Sequence, residues 1–533
     1  MLGYLGVVSK RRIELKTPEI TTLLRNSEED VSIVDAQIAL IHAARLVGAP
    51  DDSPVDVHLR DGVIAHIEPA ASAPGAATAL ATEATPSGEV LNAEGAWLIP
   101  GLWDHHVHYG QWAQTFTTVN LAPATSAAEC AQLLADRAHT DPPVAGGVVV
   151  GMNYQGVLWD PQPTLALLDE YTGDVPVVGI SMDYHSAWMN TAALRLLGLP
   201  EREGTVQEAE WFDTVPRLEA LPQRDPDAGM RQAMDDAASR GVVGIIDYDF
   251  SQAHLRWPER TGRGLDRLRV QAGFYPPELD GVIERGWRTG DRLDDTGLVT
   301  LGSLKIISDG SLNTATAYCF DPYPQGGHGV MSVPGEEITR LIGRAASHQL
   351  TAAVHAIGDH ANALVLDAFA ATGARGSVEH AQLIRDDDAC RMAELGLAAS
   401  IQPAHLLDDR KPAEALWPGR TPYAFATLHK AGVKLLLGSD APVARLDPWL
   451  AMSAAVGRAL PGEEAWEPGQ CLTPATALSA ATGGPVRVIP GMTADVALLA
   501  ADPLAPGHDV AERLRQMEVR ATILAGRVTY AAQ

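Results

Sequence analysis

The sequence is poor in cysteine, and its few cysteines lie far apart. Only four occur in 533 residues, and no pair has the two-residue separation typical of thiolate metal sites. This distribution argues against a disulfide framework and against a zinc site built from cysteine. We therefore expect a protein of a reducing compartment, the cytoplasm.

Positive charge and long apolar runs are also scarce. Lys and Arg number 40 against 67 Asp and Glu, which gives a formal net charge of −27. Nucleic acid and anionic membranes attract basic surfaces, so we expect neither as a partner. No run approaches the ~18 apolar residues of a membrane-spanning helix. The first basic residues follow the weakly apolar start instead of preceding it, which is the reverse of a secretory signal.

The middle of the sequence contains strand-like segments that alternate with helix-like segments. Eight alternating strands and helices are typical of a (β/α)8 barrel, although a doubly wound sheet has the same periodicity. Polar residues at the strand ends favour the barrel, because there the ends converge on one pocket. The predicted strands are residues 103–108, 242–247, 268–274, 304–308, 351–355, 376–380, 398–402 and 434–440. The polar residues are Asp104, His106, His108, Asp247, Lys305, His355, His380 and Asp440.

Short β-type segments also occur at both ends of the chain. Near the start, two of them flank Asp61-Gly62, a dipeptide typical of a tight hairpin. Similar segments at residues 495–499 and 522–524 suggest that the two ends pair in one small β domain. Between the first and second barrel strands lie about 130 residues, far more than one strand–helix unit needs, so we expect an inserted subdomain at about 140–235.

The most informative local motif is His106-Val107-His108. Residues i and i+2 of a strand point to the same side, so both imidazoles can bind one cation. Neutral imidazole is a common zinc ligand. Each other candidate has an ordinary alternative, such as a core histidine or a helix cap, but together they would be costly to bury without a metal. Those candidates, at spacings that fit successive strand–helix units, are Lys305, His355, His380 and Asp440.

Several further motifs follow in a fixed order along the chain. They are IPGLWDHHVH at 99–108, DYHSAWMN at 183–190, KIISDGS at 305–311, HAIGD at 355–359, EHAQ at 379–382, QPAH at 402–405, GSDAP at 438–442, TADV at 493–496 and GRV at 526–528. This series resembles the amidohydrolase superfamily, and within it amidohydrolase family 3, over about residues 32–530. The resemblance implies an α/β fold: a distorted TIM barrel at 100–487, with the insertion, beside a small β-sandwich formed by 1–99 and 488–533.

The resemblance also implies one or two divalent metal ions, with Zn²⁺ the expected metal. By the family pattern, His106 and His108 bind the more buried ion together with Asp440. His355 and His380 bind a second ion, and Lys305, once carboxylated, bridges the two. If Lys305 is unmodified, a single metal or a different bridge is expected.

The function implied is metal-dependent hydrolysis of a C–N bond in a small amide, formamide or cyclic amide, in the manner of an N-substituted formamide deformylase. Metal-activated hydroxide would attack, with Asp440 as the general base and His380 beside the carbonyl. Deamination, ester hydrolysis and a catalytically silent regulatory role remain alternatives. A small molecule is the expected partner. The oligomeric state is left open by the sequence, with a homodimer as one assembly that the resemblance allows.

Substrate-pocket candidates come from the same resemblance. His405 follows the seventh strand, and His185 and Trp188 lie in the insertion, where they could cover the pocket or pack the subdomain. Trp112 could line the pocket or be buried. His105 occupies a position where a small residue is more usual, and we interpret it as structural.

Overall fold

The fold is that of a computed structural model, which describes residues 33–71, 88–156, 159–182, 186–250 and 252–532. Its strands are β1 (Ile38–Leu46), β2 (Val55–Arg60), β3 (Val63–Pro69), β4 (Glu89–Asn92), β5 (Trp97–Pro100), β6 (Leu102–Val107), β7 (Val119–Asn120), β8 (Val149–Tyr154), β9 (Val177–Ser181), β10 (Ser186–Met189), β11 (Val206–Gln207), β12 (Val242–Asp247), β13 (Arg269–Phe274), β14 (Val299–Ile307), β15 (Ala352–Ala356), β16 (Gly376–His380), β17 (Ala398–Ile401), β18 (Lys434–Leu437), β19 (Val496–Leu499), β20 (Val519–Leu524) and β21 (Arg527–Ala531).

The α-helices of the described residues connect these strands and cover their faces. They are α1 (Tyr109–Gln114), α2 (Ala127–Thr140), α3 (Leu165–Thr172), α4 (Thr191–Leu196), α5 (Glu208–Glu219), α6 (Ala228–Ser239), α7 (Ala253–Gly262), α8 (Leu279–Glu284), α9 (Gly335–Ser347), α10 (Asp359–Thr372), α11 (Asp386–Glu394), α12 (His405–Leu416), α13 (Phe425–Ala431), α14 (Pro448–Gly457), α15 (Pro474–Ala481) and α16 (Val510–Arg515).

Eight parallel strands form a nearly closed barrel, in the order β18-β17-β16-β15-β14-β13-β12-β6. This arrangement confirms the predicted (β/α)8 barrel. The strands form where the sequence has short apolar runs: every residue of β12 but one is buried, as is typical of a parallel strand covered on both faces. The surrounding helices are amphipathic; in α9 the buried residues recur at helical spacing.

The barrel closes between its first and last strands, β6 and β18. The backbone N–H of Asp440 donates to the carbonyl oxygen of His106 at 2.7 Å, and that of His108 donates to Ala441 at 2.9 Å. Gly438 allows this close approach, because a Cβ there would lie 2.7 Å from the Cβ of His106. Closure therefore brings the segment after β18 directly against the histidines of β6.

Strands from both chain ends form a second sheet, in the order β21-β20-β19-β5-β1-β2-β3, with β4 paired to β1. The predicted hairpin connects β2 to β3, where Asp61 and Gly62 have the positive φ angles of a tight hairpin turn. Both halves of the sheet contribute to one apolar cluster, in which Ile41, Val57 and Ile523 are fully buried. The sheet therefore folds over a shared core as a small sandwich built from both ends.

The insertion forms a third sheet, in the order β11-β10-β9-β8-β7. Its first strand begins at Val119, whereas the sequence predicts an insertion from about residue 140. The helix α2 lies between these two positions, and its buried side chains, including Cys130 and Leu134, pack against the core of this sheet and not against the barrel. Within the described part of the chain, no helix combines the length and the apolar composition needed to cross a membrane.

Candidate metal centre

The strand-end polar residues meet at the C-terminal end of the barrel, around the point where it closes. His106 lies near the end of β6 and His108 just beyond it, while Asp440 follows β18. One ligand atom from each of these three residues lies within 4.8 Å of the other two. Among the described His, Cys, Asp and Glu residues, this is the one group of three or more with such a spacing. The structure thus brings together the three residues expected to hold the more buried metal.

Glu379 determines which nitrogen of His106 faces this group. Its Oε2 lies 2.7 Å from His106 Nδ1, and both side chains are only 1% exposed. Burial raises the pKa of Glu379, but the hydrogen bond from His106 and the charge of Lys305 outweigh it and hold the pKa at about 2. Lys305 Nζ, which can only donate, lies 3.2 Å from Nε2, so the lone pair of His106 is on Nε2 and the hydrogen is on Nδ1, on the side of the carboxylate.

That lone pair faces a second acceptor. His106 Nε2 lies 3.5 Å from Asp440 Oδ1, and His108 Nε2 lies 3.3 Å from the same oxygen. An unprotonated nitrogen and a carboxylate oxygen repel each other, and a cation near both relieves this repulsion. The ammonium of Lys305, 3.2 Å from Nε2, is one such cation, and a metal ion held by both atoms would be another. Two imidazole nitrogens and a carboxylate oxygen are a donor set that zinc and similar divalent ions bind. The residues therefore fit a divalent metal.

Lys305 projects from β14 towards the same place. Its Nζ lies 3.2 Å from His106 Nε2 and 4.5 Å from the centre of the Tyr248 ring. The side chain is 1% exposed, and this burial lowers the pKa of the amine from 10.5 to about 8. At neutral pH the amine is consequently easier to deprotonate than an ordinary lysine.

His355 and His380 lie beside the first group. Their ring centres are 4.5 Å apart, and the ring of His380 is 5.0 Å from that of His106. His355 Nε2 lies 3.2 Å from the carbonyl oxygen of Gly310, to which it donates, so its lone pair is on Nδ1. Burial lowers the pKa of His355 to about 3 and that of His380 well below 6.5. Both imidazoles are thus neutral, the form that binds a metal.

Two of the expected ligands have an unusual backbone. The φ angles are 72° at His380 and 59° at Asp440, in the left-handed region that residues other than glycine rarely adopt. Such a conformation costs of order 1–3 kcal/mol and is found mainly at functional sites. His380 ends β16 and Asp440 follows β18, so both unusual conformations lie at the strand ends that carry the ligands.

Three buried carboxylates support these ligands and were not predicted as site residues from the sequence. Glu379 orients His106, as described. Asp104 accepts from the backbone N–H groups of His106 and Ser439, each at 3.0 Å, and so joins the ends of β6 and β18. Asp309 lies 3.4 Å from His355 Nε2. All three occur inside the motifs quoted above, next to or near a predicted ligand, and that proximity was the available signal.

Two of the expected pocket residues pack cores instead. Trp188 is fully buried in the inserted subdomain, where its indole N–H donates to the carbonyl oxygen of Thr164 at 3.1 Å. Trp112 is 4% exposed and packs edge-on against Tyr109 and Phe116 in the barrel core. Both indoles therefore stabilise the cores around them, which is the alternative to a pocket role that the sequence left open for each.

The remaining candidate histidines have different environments. His405 is half-buried at the start of α12, with Nε2 3.2 Å from the carbonyl oxygen of Ser439, the residue before Asp440. His105 is buried, and its Nδ1 lies 2.9 Å from the carbonyl oxygen of Leu437, which fits the structural role predicted for it. His185 lies outside the described residues.

Comparison with known proteins places this site in a family. The family model described as "Amidohydrolase family" matches residues 89–530. The chain is 26% identical to the protein LONG AFTER FAR-RED 3 of Arabidopsis thaliana over 462 residues, which cover 77% of this chain and 79% of that protein. It is 25% identical to an N-substituted formamide deformylase of Arthrobacter pascens over 512 residues, covering 86% and 92%.

A solved structure has the same fold. It is an uncharacterized metal-dependent hydrolase from Pyrococcus furiosus, which superposes with a TM-score of 0.72 at 23% sequence identity. The superposition covers 87% of this chain and 99% of the other.

Proposed function

This chain belongs to the amidohydrolase family, and from that premise we propose that it is a metal-dependent hydrolase of the C–N bond in a small amide, formamide or cyclic amide. The observation that carries the proposal is the convergence of His106, His108 and Asp440 on one point at the strand ends of the barrel. The relative named as an N-substituted formamide deformylase supports N-substituted formamides as the first substrates to test.

The proposed metal site consists of two histidines and one carboxylate. His106 and His108 would hold the ion through Nε2, and Asp440 through Oδ1. A zinc ion bound there would supply Lewis acidity, which lowers the pKa of a coordinated water and polarises a carbonyl group. Glu379 keeps His106 in the tautomer that presents its lone pair.

Asp440 is proposed as the proton carrier. Its side chain is 13% exposed, so it is both held by the histidines and open to the pocket. Its carboxylate would take a proton from the attacking water and return it to the nitrogen as the C–N bond breaks, so that the amine leaves neutral. His380, next to His106, would lie beside the carbonyl oxygen of the substrate.

We also propose that Lys305 is carboxylated and joins His355 and His380 in holding a second ion. Carboxylation requires an uncharged amine and CO₂, and burial of this amine favours the uncharged form. The proposal predicts two metal ions per chain in the wild type and one in Lys305→Ala, measured by elemental analysis of protein purified with added bicarbonate. One ion in both proteins would contradict it.

The test of the function combines metal content with turnover. Wild-type protein should hold at least one zinc-like ion per chain and hydrolyse members of a panel of N-substituted formamides, amides and lactams. Asp440→Asn, whose side chain tolerates the left-handed backbone, should keep most of its metal and lose at least about 100-fold in kcat. His106→Ala should lose the metal together with the activity.

The alternatives give different results in the same assays. Less than about one ion per chain, with no further loss in His106→Ala, would refute the enzyme proposal and leave the regulatory one. Metal without C–N cleavage, but with turnover of esters or of an exocyclic amine, would assign one of the other hydrolytic reactions. The cytoplasmic location, the homodimer and the absence of nucleic-acid and membrane partners stay predictions.

A further inference from the structure

Three aromatic residues lie against the candidate metal centre on the side of β12 and β13. Tyr248 contacts His106 edge-on, with ring centres 5.0 Å apart. Phe250 stacks on His108 at 5.4 Å, with an angle of 15° between the ring planes. Tyr275 stacks on Phe250 at 4.9 Å and 24°, and its hydroxyl donates to the carbonyl oxygen of Tyr248 at 2.8 Å. We call Tyr248, Phe250 and Tyr275 the aromatic wall.

Phe250 differs from the other two members of the wall in its exposure. Tyr248 is 2% exposed and Tyr275 is half-buried, whereas Phe250 is 55% exposed. A phenyl ring left in water forgoes the favourable free energy of burying its apolar surface. A ring that contacts a candidate metal ligand and remains half in solvent is therefore well placed to be covered by a substrate.

Other exposed apolar side chains lie at the same end of the barrel. Val330 is 56% exposed in the segment between β14 and α9, and Val443 is 72% exposed just after β18, three residues from Asp440. Each of these positions, like Phe250 after β12, follows the C-terminal end of a barrel strand. The loops around the centre thus present apolar surface at three separate places.

Three of the positive charges near these loops have partners. Arg420 lies 2.6 Å from Asp321 and also contacts Asp359. Arg385 lies 2.7 Å from Asp388. Lys305 contacts His106 in the buried centre. Because these three cations have partners, none of them needs an anionic substituent as a counter-charge.

We propose that Phe250 forms a subsite that binds an uncharged aromatic ring of the substrate. The inference rests on the proposed function, since it assigns the part of the amide substrate that does not react. Phe250 lies between His108 and Tyr275, with its ring plane nearly parallel to both, so the part of the ring left exposed is its outer edge. A substrate ring can meet that edge in an edge-to-face contact. Aromatic pairs of this kind contribute beyond the area that they bury, which distinguishes a phenyl ring from a saturated ring of similar size.

Binding of two neutral ureas tests the subsite without any turnover. Phenylurea and cyclohexylurea differ in the aromaticity of the ring and resist hydrolysis. Isothermal titration of the zinc-loaded protein should give a dissociation constant for phenylurea roughly two- to tenfold lower than for cyclohexylurea. Phe250→Leu should remove this preference, and Phe250→Trp should retain it. Tyr171→Leu, the same kind of change at an exposed aromatic residue of α3, is the matched control and should leave the preference unchanged.

Each outcome decides the proposal. Equal affinities in the wild type, binding of neither urea, or a preference that survives in Phe250→Leu would overturn it. Zinc is measured in every variant, because loss of metal from Phe250→Leu would show that this residue supports His108 and would also overturn the subsite. The protein could also show a preference for phenylurea that depends on Phe250 and yet hydrolyse no amide. This result would support the subsite and refute the proposed function.

Discussion

The contact between Glu379 and His106 gives the sharpest test of how the centre is built. Glu379→Gln keeps the shape of the side chain and an oxygen that can accept from His106 Nδ1, but removes the charge. Because both side chains are 1% exposed and the atoms lie 2.7 Å apart, solvent contributes little to this contact. The substitution therefore isolates the effect of the charge on the orientation and basicity of one ligand.

The magnitude follows from the strength of such bonds. A hydrogen bond to a charged acceptor contributes about 1.5–3 kcal/mol, against about 1 kcal/mol for a neutral pair. A metal bound to Nε2 makes the Nδ1 hydrogen more acidic, so most of the difference of about 0.5–2 kcal/mol should appear as lost metal affinity. This corresponds to a zinc dissociation constant higher by roughly 2- to 30-fold, a range that overlaps the 10- to 100-fold effects typical of residues that orient metal ligands.

Zinc affinity is measured by competition with a chromogenic chelator, which requires no substrate. The control is Asp388→Asn, a second buried carboxylate, which accepts from Arg385 and Arg391 on α11. It should lower thermal stability and leave zinc affinity unchanged. A Glu379→Gln protein that binds zinc within twofold of the wild type, or an equal loss in Asp388→Asn, would refute this account of the site.

Two further substitutions test the packing that positions the centre. Gly438→Ala would place a Cβ 2.7 Å from the Cβ of His106, so we expect a loss of about 1–3 kcal/mol in the free energy of unfolding together with weaker zinc binding. The control is Gly469→Ala, where a Cβ meets nothing within 4 Å. If both variants behave alike in denaturant and chelator titrations, Gly438 is not required for the close approach of β6 and β18. Trp188→Ala should lower the free energy of unfolding by about 3–5 kcal/mol, because the indole is fully buried. KM should stay the same. A raised KM at unchanged stability would instead indicate that Trp188 lines the pocket.

The barrel could be predicted from the sequence because its strands are short apolar runs of characteristic length. Two of the eight, at 242–247 and 376–380, have the predicted bounds, and the other six differ only at their ends. The residue at which the insertion begins could not be predicted from the sequence. The helix α2 has the same amphipathic pattern whichever sheet it covers, so its sequence could not show that it packs on the inserted sheet.

The candidate ligands were similarly readable from local patterns. His106 and His108 share one face because of the two-residue period of a strand, and the order of the motifs indicated the amidohydrolase family, which the match over residues 89–530 confirms. Trp112 and Trp188 show the limit of such reasoning. A tryptophan in a βα loop region and a tryptophan in a core have the same sequence signature, and only packing separates them.

The sequence by itself determined that this protein is an amidohydrolase barrel with ligand-type residues at its strand ends, because period, spacing and motif order are local properties. Only the tertiary structure decided which nitrogen of His106 faces the centre and which ring borders it. Glu379 is 273 positions from His106 along the chain, and Phe250 is 142 positions from His108. Contacts over such separations depend on barrel closure and strand order, which the local sequence around either partner does not contain.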